Sequence, residues 1–382
     1  MRMALCLNSP LRTAVFVCPI SAVFLFLTAS ALIAAGVSDD EVLVAMARTR
    51  ATPKIFARTR ELSSYFATNR CTDETAMEGE ARRDKVPSFN SLINDRLCPG
   101  LRLGTVVVSV PARRPRGAQV YQSGPGLQNS LLNPMIQRLF FQDDRQSYLD
   151  EIRYLAAADG GLNTFVHGLS NTFSDAAERV TQLSFDTGRD RKFAFFSWPS
   201  DNATVFGFPA YDSAQENLGK SIEPLASFLS TLEAASPSKL VAHSMGADLT
   251  VSALLSAAYV SPDATADRPL ALVAPDIDSS KFVAQASALR SKHFSPTVYC
   301  GTDYALAFAV LYRSERHERL GHCQVGVLPI DGVRLVQLRG FIEDYARHSY
   351  YLTSTKVLDD IGRVLDGGKL DGYGSVIEMQ LP

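Results

Sequence analysis

The segment Ser238-Lys-Leu-Val-Ala-His-Ser-Met-Gly-Ala-Asp-Leu-Thr-Val-Ser-Ala-Leu-Leu255 carries the clearest chemistry in the chain. An apolar strand ends at His243, Ser244 follows, and an apolar helix begins at once. This strand–turn–helix setting presents a serine hydroxyl as a nucleophile from a sharp, strained turn. Such a turn needs small residues two places before and two places after the serine, because side chains there would clash. Ala242 and Gly246 stand at those places in Ala242-His243-Ser244-Met245-Gly246. Ser244 would then sit at the N-terminus of a helix, where developing negative charge is favoured. The same short string also fits a structural turn serine, so the rest of the chemistry must come from elsewhere in the chain.

Acyl transfer through a serine needs an oxyanion site, an acid and a histidine. Upstream, Leu162-Asn-Thr-Phe-Val-His-Gly-Leu169 reads as a strand ending in His-Gly. Its following loop would supply the Leu169 N–H as one oxyanion donor, with Met245 N–H as the other. Gly168 would let the backbone approach, and His167 reads as a residue that orients the loop rather than one that moves protons. Downstream, Asp303 follows the strand Pro296–Cys300 and is the expected acid. Asp276 and Asp278, after the preceding strand, are rivals. The histidines that follow are His317, His322 and His348. His317 lies in a charged stretch, and His348, just before the last long helix, is the expected base. His317, His322 and Cys323 lack a fourth ligand at suitable spacing, so neither a metal site nor a cofactor is expected. Trp198, at a strand end, lines the substrate cleft or packs in the core. Phe206, Phe208 and Tyr211 form an apolar lid or pack on the surface.

The elements that must hold these residues alternate. Strands are expected at Leu62–Thr68, Gly104–Val110, Asn163–His167, Lys192–Trp198, Lys239–His243, Leu270–Ala274, Pro296–Cys300 and Val333–Leu338. Helices are expected at Asp143–Ala158, Ser174–Thr187, Ser213–Ala235, Ala247–Tyr259 and Ser349–Leu365, the third opening on a capping box at Ser213–Glu216. Runs such as Phe193-Ala-Phe-Phe196 are continuously apolar, as strands covered on both faces are. The pattern predicts an α/β fold with a mostly parallel central sheet flanked by helices. Ala112–Leu139, rich in Pro, Gly, Gln and Asn, reads as surface loop. No G-x-G-x-x-G or P-loop pattern supports a nucleotide site.

The chain has 382 residues, with 46% apolar and 20% charged residues and a net charge of −2. A nucleic-acid binder led by a basic surface is therefore not expected. That average hides an uncharged stretch, residues 13–38. Arg2 and Arg12 precede an apolar run, residues 14–35, and Asp39, Asp40 and Glu41 follow it. This order fits a secretory signal or an anchor helix. Either one exports the domain to a periplasmic or extracytoplasmic location, soluble or membrane-anchored. The expected organisation is an export segment over 1–36, a helical lead-in over 37–61 and one domain over 62–382. Of six cysteines, Cys71, Cys98, Cys300 and Cys323 lie outside the export segment. The sequence-local pairing, Cys71–Cys98 with Cys300–Cys323, is preferred over the other pairings and over four free thiols.

Several motifs in order resemble one family. They are Tyr65-Phe-Ala-Thr-Asn-Arg70, Val107-Val-Ser-Val-Pro111, Phe165-Val-His-Gly168, Phe196-Ser-Trp-Pro-Ser200, Val241-Ala-His-Ser-Met-Gly246, Ala274-Pro-Asp-Ile-Asp278 and His348-Ser-Tyr350. Over roughly residues 62–366 the chain resembles the alpha/beta hydrolases of unknown function, which are often exported and esterase-like. The resemblance implies an α/β-hydrolase fold and a Ser–Asp–His triad, matching Ser244, Asp303 and His348. It departs at Arg347, where the family usually has glycine, and in the segment bearing Cys71 and Cys98. The expected function is a serine hydrolase of carboxylesterase or lipase type acting on a small-molecule or lipid ester through an acyl-enzyme. The alternatives are an exported binding protein on the same fold and an acyltransferase.

Overall fold

Strands alternate with helices along the chain to build a single ten-stranded sheet. The computed structural model describes residues 59–382 except 74–88, 113, 119–133, 160, 189–190, 201–207, 261–266, 313–317, 324–327, 341–345, 368–369 and 382. The apolar run 14–35 and most of the expected lead-in fall outside the described residues. Among those described, no helix is long and apolar enough to cross a membrane. Arg58–Pro382 forms one compact unit.

The strands are β1 Thr59–Thr72, β2 Ile93–Pro111, β3 Met135–Gln142, β4 Asn163–Val166, β5 Phe193–Ser197, β6 Lys239–His243, β7 Arg268–Val273, β8 Phe294–Cys300, β9 Arg334–Arg339 and β10 Ser375–Gln380. The helices are α1 Phe89–Leu92, α2 Arg145–Asp159, α3 Phe173–Asp186, α4 Phe208–Glu233, α5 Met245–Leu255, α6 Ser279–Ser291, α7 Tyr304–Tyr312, α8 Tyr350–Thr353 and α9 Thr355–Leu365. The sheet order is β10-β9-β8-β7-β6-β4-β5-β1-β2-β3. All pairs are parallel except β1 with β2 and β2 with β3. This is the mostly parallel α/β sheet that the sequence pattern predicts, in the α/β-hydrolase fold that the resemblance implies.

The central strands are buried on both faces, which explains their continuous apolar runs. Phe165, Phe193, Phe195, Val241, Ala271 and Val273 point to one core, under α3 and α9. Val166, Ala194, Phe196, Leu240, Ala242 and Leu272 point to the other, under α2, α4, α5 and α6. Each buried Phe, Val or Leu contributes about 1.5–3 kcal/mol from area alone. The sheet therefore gives the site a stiff base.

Strand order matters most at β4. The chain runs from β4 to its neighbour β5 on one side, while β6 pairs with β4 on the other, with Val166 opposite Ala242. The next residues, His167 and Gly168, therefore lie beside His243 and Ser244. Open parallel sheets bind ligands at such reversals, beyond the C-terminal ends of the strands.

Several local expectations are corrected. Ala112–Leu139 is not all loop, because Met135 opens β3; its half-exposed edge position breaks the clean alternation by which strands are recognised. β10 at the other edge, and helices α6 and α7, were not expected. The α7 sequence Tyr-Ala-Leu-Ala-Phe-Ala-Val-Leu-Tyr is apolar all round and shows no helical stripe. α4 opens at Phe208, so Ser213 lies inside the helix and caps nothing. The capping box belongs to α3, between Thr172 and Asp175. The last helical stretch breaks in two at Ser354. β1 opens at Thr59, within the last residues assigned to the lead-in.

Candidate active site

Ser244 stands between β6 and α5 with φ 55° and ψ −127°, a conformation that a side-chain-bearing residue rarely adopts. Three backbone hydrogen bonds hold it there. Its N–H donates to the Val273 carbonyl at 3.0 Å, and its carbonyl accepts from Ala247 N–H at 3.0 Å and Asp276 N–H at 3.1 Å. Its hydroxyl makes no capping bond to the helix it precedes. The flanking small residues have direct steric causes. A Cβ on Gly246 would collide with the His167 carbonyl, and one on Gly168 would meet Ser244 Cβ at 2.7 Å.

The loop after β4 is locked by side chains. Asn171 Nδ2 donates to the Leu169 carbonyl at 2.7 Å and the Gly168 carbonyl at 3.2 Å. A peptide's N–H points opposite to its carbonyl, so the Leu169 N–H faces away from Asn171. Met245 occupies the first helical position, where no intrahelical acceptor exists for its N–H. Arg70 braces Asn171 from beneath. It donates to the Asn171 carbonyl at 2.6 Å, to Ser197 Oγ at 2.9 Å and to Asp95 at 2.7 Å.

His167 is fully buried and orients this loop. Trp198 N–H donates to its Nε2 at 3.1 Å, so the proton sits on Nδ1, 2.9 Å from the Gly168 carbonyl. Burial and the nearby Arg70 cation hold its pKa well below the ordinary histidine value. Trp198 is itself fully buried, stacked on His167, with Nε1 donating to the His167 carbonyl at 2.8 Å. Its place is in the core beneath the loop.

Asp303 follows β8 and is 0% exposed. Its Oδ1 accepts the Leu306 N–H at 2.9 Å, at the start of α7, and its Oδ2 lies 2.6 Å from His348 Nδ1. The imidazole thus presents its Nε2 away from the acid. His322 braces the main chain here, its Nδ1 lying 2.9 Å from the Asp303 carbonyl and 3.2 Å from the Asp303 N. The Cys300–Cys323 disulfide ties this same segment to the end of β8. Cys71–Cys98 forms the second bridge, joining β1 to β2. Both are the expected sequence-local pairs, and Cys323 is thereby removed from any metal cluster. Disulfides persist in oxidising compartments, which points to an extracytoplasmic location.

The rival acids have other duties. Asp276 accepts from Tyr211 Oη at 2.9 Å and pairs with buried Arg319 at 3.2 Å. Asp278 caps α6 through the Lys281 N–H. Tyr211 is buried beneath this pair rather than forming a lid, whereas Phe206 and His317 lie outside the described residues. Arg347, just before His348, has φ 53°, a left-handed conformation that favours glycine. Asn171, Arg319 and His243 were missed as site residues. Only His243 left a trace, as part of the serine motif.

The fold and this edge of the sheet define an α/β hydrolase. The family model described as alpha/beta hydrolase of unknown function (DUF900) matches residues 150–364, more than half of the chain, and the chain belongs to that family. No curated protein matches it.

Proposed function

We propose that the protein is a serine hydrolase of carboxylesterase or lipase type, with Ser244 as nucleophile, His348 as general base and Asp303 as the acid that holds it. The carrying observation is the 2.6 Å contact between Asp303 and His348, on the edge of the sheet where Ser244 is held in a strained turn. His348 Nε2 takes the Ser244 proton as Oγ bonds to the ester carbonyl carbon. The carbonyl electron pair becomes an oxyanion received by the Leu169 and Met245 N–H groups. Collapse expels the alcohol, which takes the proton back from the imidazolium. Water, deprotonated by His348, then cleaves the acyl-enzyme and returns Ser244. Asp303 stabilises the transient imidazolium.

An apolar acyl portion is supported by α7, which follows Asp303 directly and exposes Tyr304, Phe308 and Leu311 at helical spacing. Export, with membrane association through residues 14–35, fits the disulfides and the charge order at the N-terminus. The test is labelling by a fluorophosphonate probe together with hydrolysis across an ester chain-length panel. Wild type labels and turns over, and Ser244→Ala does neither. A wild-type protein that resists the probe overturns the reading in favour of a binding protein on this fold. Acyl transfer to an added alcohol in place of hydrolysis would make it an acyltransferase.

A further inference from the structure

We propose that His243 is a positioning residue, which holds the His348 loop in register with Ser244 through its ring and its Nε2–H. This inference rests on the roles given above to Ser244, Asp303 and His348. His243 is bonded directly to the nucleophile in the chain, and it reaches across to the base. Its Nε2 lies 3.1 Å from the His348 carbonyl, so the neutral ring carries its proton there and donates it. Its ring centroid lies 4.6 Å from that of His348 and 4.4 Å from that of Tyr351. The ring is thus a shelf against which the His348 imidazole rests.

The His348 loop needs such a support. Arg347 holds φ 53°, a conformation that only surrounding contacts can enforce. The loop is pinned on one side by Tyr304 N–H donating to the Ala346 carbonyl at 3.0 Å. His243 pins the other side. A phenylalanine would supply the shelf without the donor, and a glutamine the donor without the shelf.

His243 is also built to stay neutral. It is 4% exposed, and the groups facing it are His348, Arg179 of α3, His167 and Tyr351. Burial, with the His348 and Arg179 charges, holds its pKa well below the ordinary value. Among the described residues its Nδ1 has no hydrogen-bond partner, and a proton added there would find no acceptor. Positive charge formed during turnover is thereby confined to His348.

The experiment compares His243→Ala, His243→Phe and His243→Gln in the full chain, with rates counted per fluorophosphonate-reactive site. His243→Ala is expected to lower kcat about 100-fold, as misplacement of a catalytic group by about 1 Å does, with KM nearly constant. His243→Phe and His243→Gln each recover part of that loss. The low-field Nδ1 proton resonance of His348 in wild type shifts or vanishes in His243→Ala. An unchanged kcat per reactive site in all three variants, with only the melting temperature lowered, overturns the proposal. So does an unperturbed resonance. That resonance needs no turnover, so it separates failure of the positioning role from failure of the hydrolase reading.

Discussion

Two buried carboxylates follow adjacent parallel strands, and they face partners of different chemistry. Asp276 stands after β7 at 2% exposure and Asp303 after β8 at 0%. Asp276 is matched to the permanent charge of Arg319 and to the Tyr211 hydroxyl. Its charge is balanced in the resting protein, so it stabilises the loop that holds Ser244 through the Asp276 N–H. Asp303 faces a helix N–H and an imidazole. An imidazole can gain and lose charge, so this carboxylate has most to stabilise when the ring is protonated. Burial and location do not distinguish the two; the chemistry of the partner does.

The sharpest way to break this comparison is to neutralise each acid. Asp303→Asn is expected to lower kcat by about 10⁴-fold, because the amide cannot stabilise the imidazolium or hold its tautomer. Esterase assays per probe-reactive site read this, and a loss under tenfold would make Asp303 a structural acid like its neighbour. Asp276→Asn leaves Arg319 buried without a counter-charge, at a cost of about 3–5 kcal/mol in folding stability. Its kcat per folded molecule should stay within about threefold of wild type, and denaturant unfolding beside the rate assay checks both.

The Cys300–Cys323 bridge belongs to the Asp303 side of the comparison. Cys323→Ser should cost about 3 kcal/mol from loop closure, measured by thermal melting. It should lower kcat more than Cys98→Ser does, because His322 and the acid's main chain share its segment.

A smaller effect concerns acid. His167 and His243 have pKa values held below their unfolded values, so the unfolded chain binds more protons and stability falls as pH drops below about 6.5. Glu178 opposes this, since burial raises its pKa to about 8 and it is protonated in the folded protein over this range. Between pH 6.5 and 5.5, two histidines against one carboxyl leave a net loss of about 0.7 kcal/mol, because the unfolded histidines are only part-protonated at the upper end. Urea unfolding at pH 6.5 and 5.5 reads the slope, and a flat profile would remove the two neutral rings from the account.

Much of this is local and therefore legible in the chain. The buried strands show as unbroken apolar runs because both faces of the sheet are covered. The strand–serine–helix junction shows because a strained turn admits only small neighbours, and Gly246 and Gly168 lie where a Cβ would strike backbone or Ser244. The edge strands β3 and β10 left no such trace, since a half-exposed edge accepts mixed residues. Helix α7 was hidden because its apolar sequence has no stripe.

The list of acids and histidines could be read from the chain, but not their pairing. Asp303 and His348 stand 45 positions apart, and Asp276 meets an arginine from the far side of α6 and α7. These meetings depend on which strands are neighbours and how their ends align, and the reversal at β4 that brings Gly168 against Ser244 is of the same kind. Periodicity records whether a residue is buried, because burial acts on each residue separately. It carries no record of which buried charge meets which partner, because that is set by distance across loops that only the assembled sheet brings together.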